Sequence, residues 1–254
     1  MGRPEHMTFL GHSTVHLEIG GQRVLTDPVL FERITILQRV VKPLDPAHYR
    51  DVDLVLISHL HLDHLDLRSL ALLGRHLPLL VPAGSGLWLR REGFADATEM
   101  RPGDTFRLGD LRITATRAVH DGFRPPFGPR GVALGYLLEG DEASVYFAGD
   151  TDIFPEMAEL TTGLDLALLP VWGWGPRLGP GHMDPARAAY AAELLQPRAV
   201  VPIHWGTLWP LGMELVRPGR RLDPPHEFMR AVTERGLSTE IILTPPGERV
   251  PFRT

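Results

Sequence analysis

Six residues constrain this chain more than any others: His59-Leu60-His61-Leu62-Asp63-His64. They follow Val52-Asp53-Leu54-Val55-Leu56-Ile57-Ser58, an apolar run that reads as a buried strand. In an extended segment, side chains two apart share a side, so His59 and His61 can grip one ion. Asp63 and His64 lie one turn further on and can reach a second. A chain with such a loop needs a fold that brings more ligands to it. The bland alternative is a histidine-rich surface loop that binds nothing, and matching residues downstream argue against it.

Three further candidates each sit just past a predicted strand. His120 ends the run 112–119, Asp150 follows Val145-Tyr146-Phe147-Ala148-Gly149, and His204 follows Ala199-Val200-Val201-Pro202-Ile203. Open sheets place their chemistry beyond strand ends, where loops converge without disturbing the core. Singly, a strand-end His is more often a satisfied core residue and Gly-Asp a turn. Four strand ends carrying His or Asp are hard to explain by packing alone.

Composition narrows the metal chemistry. Cysteine is absent, so every ligand is His, Asp, Glu or backbone. That suits zinc, manganese or iron better than a soft-metal site. The 254 residues are enough to bury a sizeable core as one domain, 1–254. A net charge of −5 with no basic tail gives no reason to expect a nucleic-acid partner. The first residues lack the apolar core of a signal peptide, and no stretch approaches the roughly 18 apolar residues that span a bilayer. The expectation is a soluble, cytoplasmic protein.

The remaining pattern predicts many short strands. Residues 8–19 and 23–26 read as a hairpin turning at Gly20-Gly21. Residues 28–46 read either as a short helix over the core or as a lid near the site. Helices are predicted over 67–76, 85–92, 153–160, 186–195 and 225–235. Strands are predicted over 79–81, 106–108, 111–119, 135–139, 144–147, 166–171, 199–203 and, last, 239–243. Residues 123–130, with three prolines and a glycine, read as a loop. Hairpins first, then strands alternating with helices, in two comparable halves, predict an α/β fold: two sheets face to face with helices outside.

At this point the chain resembles the metallo-β-lactamase fold superfamily. The resemblance rests on His59-x-His61-x-Asp63-His64, then His120, then Gly149-Asp150-Thr151, then His204, in that order across most of the chain. It implies an αββα sandwich of two mixed β-sheets with helices on the outer faces. It also implies a binuclear centre: His59, His61 and His120 on one ion, Asp63, His64 and His204 on the other, and Asp150 bridging. Four further runs are similar to the branch that includes N-acylphosphatidylethanolamine-hydrolysing phospholipase D and the L-ascorbate-6-phosphate lactonases. They are Gly11-His12-Ser13-Thr14, Leu25-Thr26-Asp27-Pro28, Gly181-His182-Met183-Asp184-Pro185 and His204-Trp205-Gly206-Thr207. Nothing here resembles a membrane-insertion segment, and the lack of cysteine departs from β-lactamases whose second ion takes a thiolate.

Two divalent ions roughly 3.5–4 Å apart can share a water and lower its pKa towards about 7, giving a hydroxide nucleophile. No Gly-x-Ser-x-Gly elbow suggests a serine nucleophile instead. Two carboxylates against two dications leave net positive charge, which suits an anionic substrate. Asp27 is either the carboxylate that orients a ligand His or a plain Asp-Pro turn. His12 either does the same or packs below the site. His182, outside the implied ligand set, either meets substrate as a proton donor or begins a helix before Asp184-Pro185. Trp172, Trp174, Trp205 and Trp209 either wall a substrate pocket or belong to the core. Arg124, Arg130 and Arg177 lie on loops near the site, where one can pair with a phosphate or each can simply face solvent.

The leading expectation is a hydrolase with two divalent ions, zinc first and manganese or iron next, acting on a phosphodiester of a lipid-like or small anionic compound. A lactonase uses the same nucleophile on a cyclic ester. A non-catalytic, metal-stabilised binding module would be marked by a lost ligand, and none is lost. A nuclease needs a basic track that this chain lacks.

Overall fold

The computed structural model describes residues 5–160, 162–173 and 178–253. The first half carries strands β1 (Glu5–Gly11), β2 (Thr14–Ile19), β3 (Gln22–Thr26), β4 (Arg33–Ile34), β5 (Leu37–Arg39), β6 (Leu54–Leu56), β7 (Leu79–Pro82) and β8 (Ala97–Met100), with helices α1 (Leu67–Leu73) and α2 (Gly86–Arg91). The second half carries β9 (Thr105–Leu108), β10 (Leu111–Arg117), β11 (Leu134–Glu139), β12 (Ser144–Phe147), β13 (Leu166–Pro170), α3 (Pro185–Leu195), β14 (Ala199–Ile203), β15 (Leu208–Pro210), α4 (Met213–Val216), α5 (Asp223–Glu234), β16 (Glu240–Ile241) and β17 (Arg249–Arg253).

Two seven-stranded sheets result, in the orders β17-β1-β2-β3-β6-β7-β8 and β16-β14-β13-β12-β11-β10-β9. Each is antiparallel on one side and parallel on the other. Parallel neighbours need a crossover, and helices supply it: α1 between β6 and β7, α2 between β7 and β8, α3 between β13 and β14, and α5 between β14 and β16. One apolar cluster is common to both sheets, with Met7, Leu17, Val24 and Leu54 from the first and Ile113, Tyr136, Phe147 and Val201 from the second. Outside it, Leu70 and Leu89 of α1 and α2 pack with Val55 and Val81, while Ala189 and Phe228 of α3 and α5 pack with Tyr146 and Leu169. This is the expected αββα sandwich. It also explains why β13 and β14 are buried at every position: they are central strands covered on both faces. Fully burying each such Leu, Val or Phe contributes roughly 1.5–3 kcal/mol. Among the described residues, no helix is long and apolar enough to cross a membrane.

The structure corrects several local readings. Residues 8–19 are not one strand. The chain breaks at Gly11-His12, both with positive φ, and β1 pairs back onto β2. Residues 28–46 do not form the short helix: β4 and β5 make a small hairpin whose outer partner is β15, more than a hundred residues away. The buried Arg39 guanidinium ties that hairpin down by donating to the carbonyls of Leu10 and Val29 at 3.0 and 2.9 Å. Residues 153–160 contain only the 3-10 turn Pro155–Glu159. The strand expected over 239–243 shrinks to Glu240–Ile241 and is not the last, because β17 returns to pair with β1. Residues 97–100, given no element by periodicity, form edge strand β8.

The pairings put one set of strand ends at one edge of the sandwich. β1 and β3 run the same way through β2, and β3 is parallel to β6. Their ends deliver His12, Asp27 and the loop beginning at Ser58. In the other sheet, β10, β12, β13 and β14 run the same way and deliver His120, Asp150, Trp172 and His204.

Candidate metal centre

After β6, the chain continues extended to Leu60, then turns. The amides of His64 and Leu65 both donate to the His61 carbonyl, at 3.1 and 2.9 Å. This turn brings the histidines together. His59 Nε2 lies 3.0 Å from His61 Nδ1, and His120 Nε2 lies 3.2 Å from the same atom. The three form one group able to hold an ion. A second group is formed by Asp63, His64 and His204, with His12 joining it: His12 Nε2 is 3.0 Å from Asp63 Oδ2. Asp150 stands by both. Its Oδ2 is 3.2 Å from His204 Nε2 and 3.4 Å from His64 Nε2, and the residue also groups with His120 and His182.

Most of these rings are held from behind. His64 Nδ1 meets Asp27 Oδ2 at 2.7 Å, His120 Nδ1 meets the Gly181 carbonyl at 2.8 Å, and His204 Nδ1 meets the Trp172 carbonyl at 2.6 Å. Each of these oxygens accepts, so each Nδ1 donates, and in a neutral ring Nε2 is left with its lone pair. In every case that Nε2 faces the cluster. The carbonyl of Gly181 reaches His120 because residue 181 is glycine. Its φ is +84°, and a Cβ there would lie 2.9 Å from the Val119 carbonyl oxygen and 3.1 Å from His120 Cα.

The electrostatics ask for positive charge. Burial opposes ionisation of Asp63 and Asp150, but the surrounding histidines reverse this and hold both carboxyls well below the usual carboxylate range. Burial also opposes charge on His204, yet the Asp150 carboxylate pushes its pKa up to about 9. His64 is raised as well, with Asp150 and Asp63 overcoming burial. For three other histidines burial wins. Burial takes His120 down to about 4 and His12 to about 3, and lowers His59 strongly. Neutral imidazoles beside ionised carboxylates are the donor set that divalent metals take. The buried atoms His64 Nε2 and Asp150 Oδ1 have no hydrogen-bond partner among the described residues, as expected of atoms that face an ion. The residues therefore fit a metal.

His182 lies at the mouth, half-buried, with Nε2 3.8 Å from Asp150 Oδ2 and its ring edge-on to His120 at 4.7 Å. It lines a cavity of about 920 Å³ together with Trp172, Arg187, Arg220 and Arg230. The tryptophans separate. Trp172 lines this cavity and tilts against the buried Trp209 at 5.2 Å. Trp205 is core rather than pocket wall: it stacks on Phe9 at 6.2 Å, and its N–H donates to the Pro202 carbonyl. Trp174 lies outside the described residues, as does Arg177.

Arg124 is no phosphate partner. It is buried, and its Nη1 donates to the carbonyls of Leu60 and Leu65, both at 2.9 Å, clamping the two sides of the histidine loop. Arg130 pairs with Asp121. Sequence reasoning missed Arg124 in this role, since only the fold brings 123–130 behind the loop. It also missed Ser58, whose hydroxyl touches Asp27 and His59. Its one signal was adjacency to the first histidine.

Known proteins carry the same architecture. Residues 22–205 match the beta-lactamase superfamily domain. The chain is 34% identical over 249 residues to a UPF0173 metal-dependent hydrolase of Methanopyrus kandleri, covering 95% of this chain and 97% of that protein. It is 33% identical over 257 residues to a UPF0173 metal-dependent hydrolase of Rubrobacter xylanophilus, covering 96% and 95%. A metallo hydrolase of the archaeon Ignicoccus hospitalis superposes with a TM-score of 0.76 at 28% identity, covering 99% of this chain and all of that one. The chain belongs to the metallo-β-lactamase superfamily, among its UPF0173 metal-dependent hydrolases.

Proposed function

We propose that this hydrolase is binuclear and cleaves a phosphodiester of a small anionic compound. The observation that carries this reading is the pair of ligand groups flanking Asp150. His59, His61 and His120 would hold one ion, Asp63, His64 and His204 the other, and Asp150 would contact both. Zinc suits this nitrogen- and oxygen-only set best, with manganese or iron next. Bound there, divalent ions lower the pKa of a water towards about 7 and polarise the bond to be cut.

The chain's own residues do the rest. Asp27, Gly181 and Trp172 keep three ligand rings turned with Nε2 inward, so little reorganisation is needed. His182 faces Asp150 from the mouth, where its Nε2 can give a proton to the departing oxygen. Trp172 covers the cavity wall and limits water there. Arg187 is engaged by Asp152, and Arg220 by Asp223 and Glu227. Arg230 has no ion pair among the described residues and lines the same cavity as His182, so it is the cation positioned to meet an anionic group.

A panel assay tests the substrate class. The metal-loaded protein is given a chromogenic phosphodiester, a lactone, a phosphomonoester and a β-lactam. The expected result is fastest cleavage of the phosphodiester, lost on chelation and restored by metal. Fastest opening of the lactone moves the protein to the lactonases. Cleavage of none of the esters sinks the hydrolytic assignment to these groups.

A further inference from the structure

Asp27 is fully buried and surrounded by donors. Its Oδ1 accepts the Ser58 backbone N–H at 2.7 Å. Its Oδ2 lies 2.5 Å from Ser58 Oγ and 2.7 Å from His64 Nδ1. Ser58 Oγ is in turn 3.0 Å from His59 Nδ1. Hydrogen counting assigns each role. Burial pushes the Asp27 carboxyl above its usual range, against the pull of its His64 and Ser58 donors; in its ionised form it only accepts, and a hydroxyl has a single hydrogen. A separation of 2.5 Å is that of a charge-assisted O–H···O⁻ bond, so Ser58 gives its hydrogen to Asp27. The hydroxyl oxygen must then accept from His59 Nδ1–H. That leaves the lone pair of His59 on Nε2, the atom 3.0 Å from His61.

His59 groups with His61 and His120, and His64 with Asp63 and His204, while the two rings also meet around Asp27. We propose that Ser58 is a positioning residue that extends Asp27 to His59, so that one buried carboxylate sets the ring tautomer of a histidine in each metal group. The proposal rests on the metal reading given above.

The surroundings hold this relay rigid. Asp27 sits at φ +34°, fixed by its amide to the Leu56 carbonyl at 2.9 Å and by the Thr14 hydroxyl on its own carbonyl at 2.7 Å. The Ser58 carbonyl accepts the Leu134 amide at 2.9 Å, from the opposite sheet. Above it lies Gly149, next to Asp150. A Cβ at 149 would fall 2.4 Å from Ser58 Cβ, so the two backbones approach as closely as a glycine permits.

Ser58→Ala removes one oxygen and adds nothing, so it spares the packing. Two measurements are made on metal-stripped protein: the nitrogen chemical shifts of the histidine rings, and Zn²⁺ affinity by chelator competition. In the unaltered protein, His59 is expected to carry its proton on Nδ1. In Ser58→Ala that preference is lost and one of two ions binds about ten- to a hundredfold more weakly, while the other keeps its affinity. In Asp27→Asn both ions weaken. A His59 proton on Nε2 in the unaltered protein overturns the proposal, as does a Ser58→Ala protein with both zinc affinities unchanged or both equally reduced. Binding of a single ion by the unaltered protein sinks the binuclear reading instead, and the His59 tautomer then still decides the role of Ser58.

Discussion

Asp150→Ala leaves a folded protein that no longer turns over substrate. Asp150 lies beyond the end of β12, outside every strand pairing, so the sheets do not depend on it. Its carboxylate is buried among ring nitrogens, with Oδ2 near His204, His64 and His182. It is also the group whose charge pushes His204 up to about 9 against burial. Alanine removes the anion on which both ligand groups converge. Turnover should fall by at least about a thousandfold, roughly 4 kcal/mol of barrier. Circular dichroism should be unchanged. Thermal stability in the presence of metal should drop, because an ion bound only by the native state stabilises it. Near-normal turnover by a well-folded variant removes Asp150 from the chemistry.

His182→Ala and His204→Ala are expected to fail in different ways. His204 is buried, its Nδ1 is fixed by the Trp172 carbonyl and its Nε2 faces Asp150 and Asp63. Losing it should weaken one ion. His182 sits half-buried at the mouth, where its Nδ1 lies 3.3 Å from the Gly179 carbonyl and its Nε2 3.8 Å from Asp150. Its loss should leave metal content intact and slow turnover by about a hundredfold to ten-thousandfold, the usual contribution of a positioned proton donor. Metal content and turnover of the two variants decide the matter. If His182→Ala loses an ion and His204→Ala does not, the roles are exchanged. If His182→Ala changes neither, that histidine is structural.

The candidate ligands were legible in the sequence because they are dense or sit at strand ends. His59 to His64 announces itself, and His120, Asp150 and His204 follow runs apolar enough to read as buried strands. Asp27 was legible only as one of two options. What decides between a turn and a buried acceptor is the parallel pairing of β3 with β6, which sets Asp27 beside Ser58. The misreadings share that cause. Ile34 and Leu37 are spaced three apart, as on a helix, but they pair across a hairpin whose other neighbour is Leu208–Pro210. β17, given no element by periodicity, forms because β1 is there to receive it. Trp205 looks like a pocket residue by adjacency to His204, yet the chain bends at His204, at φ +63°, and Trp205 stacks on Phe9. Arg124 looks solvated until the fold places two loop carbonyls over it. Local chemistry was readable, and long-range pairing was not.

The central claim is that two ions sit on either side of Asp150, and elemental analysis of the purified, metal-replete protein tests it most directly. Metal saturating near two ions per chain, with one lost in His204→Ala, is the expected result. Saturation at a single ion, with Asp63→Ala and His204→Ala binding as much metal as the unaltered protein, would contradict it.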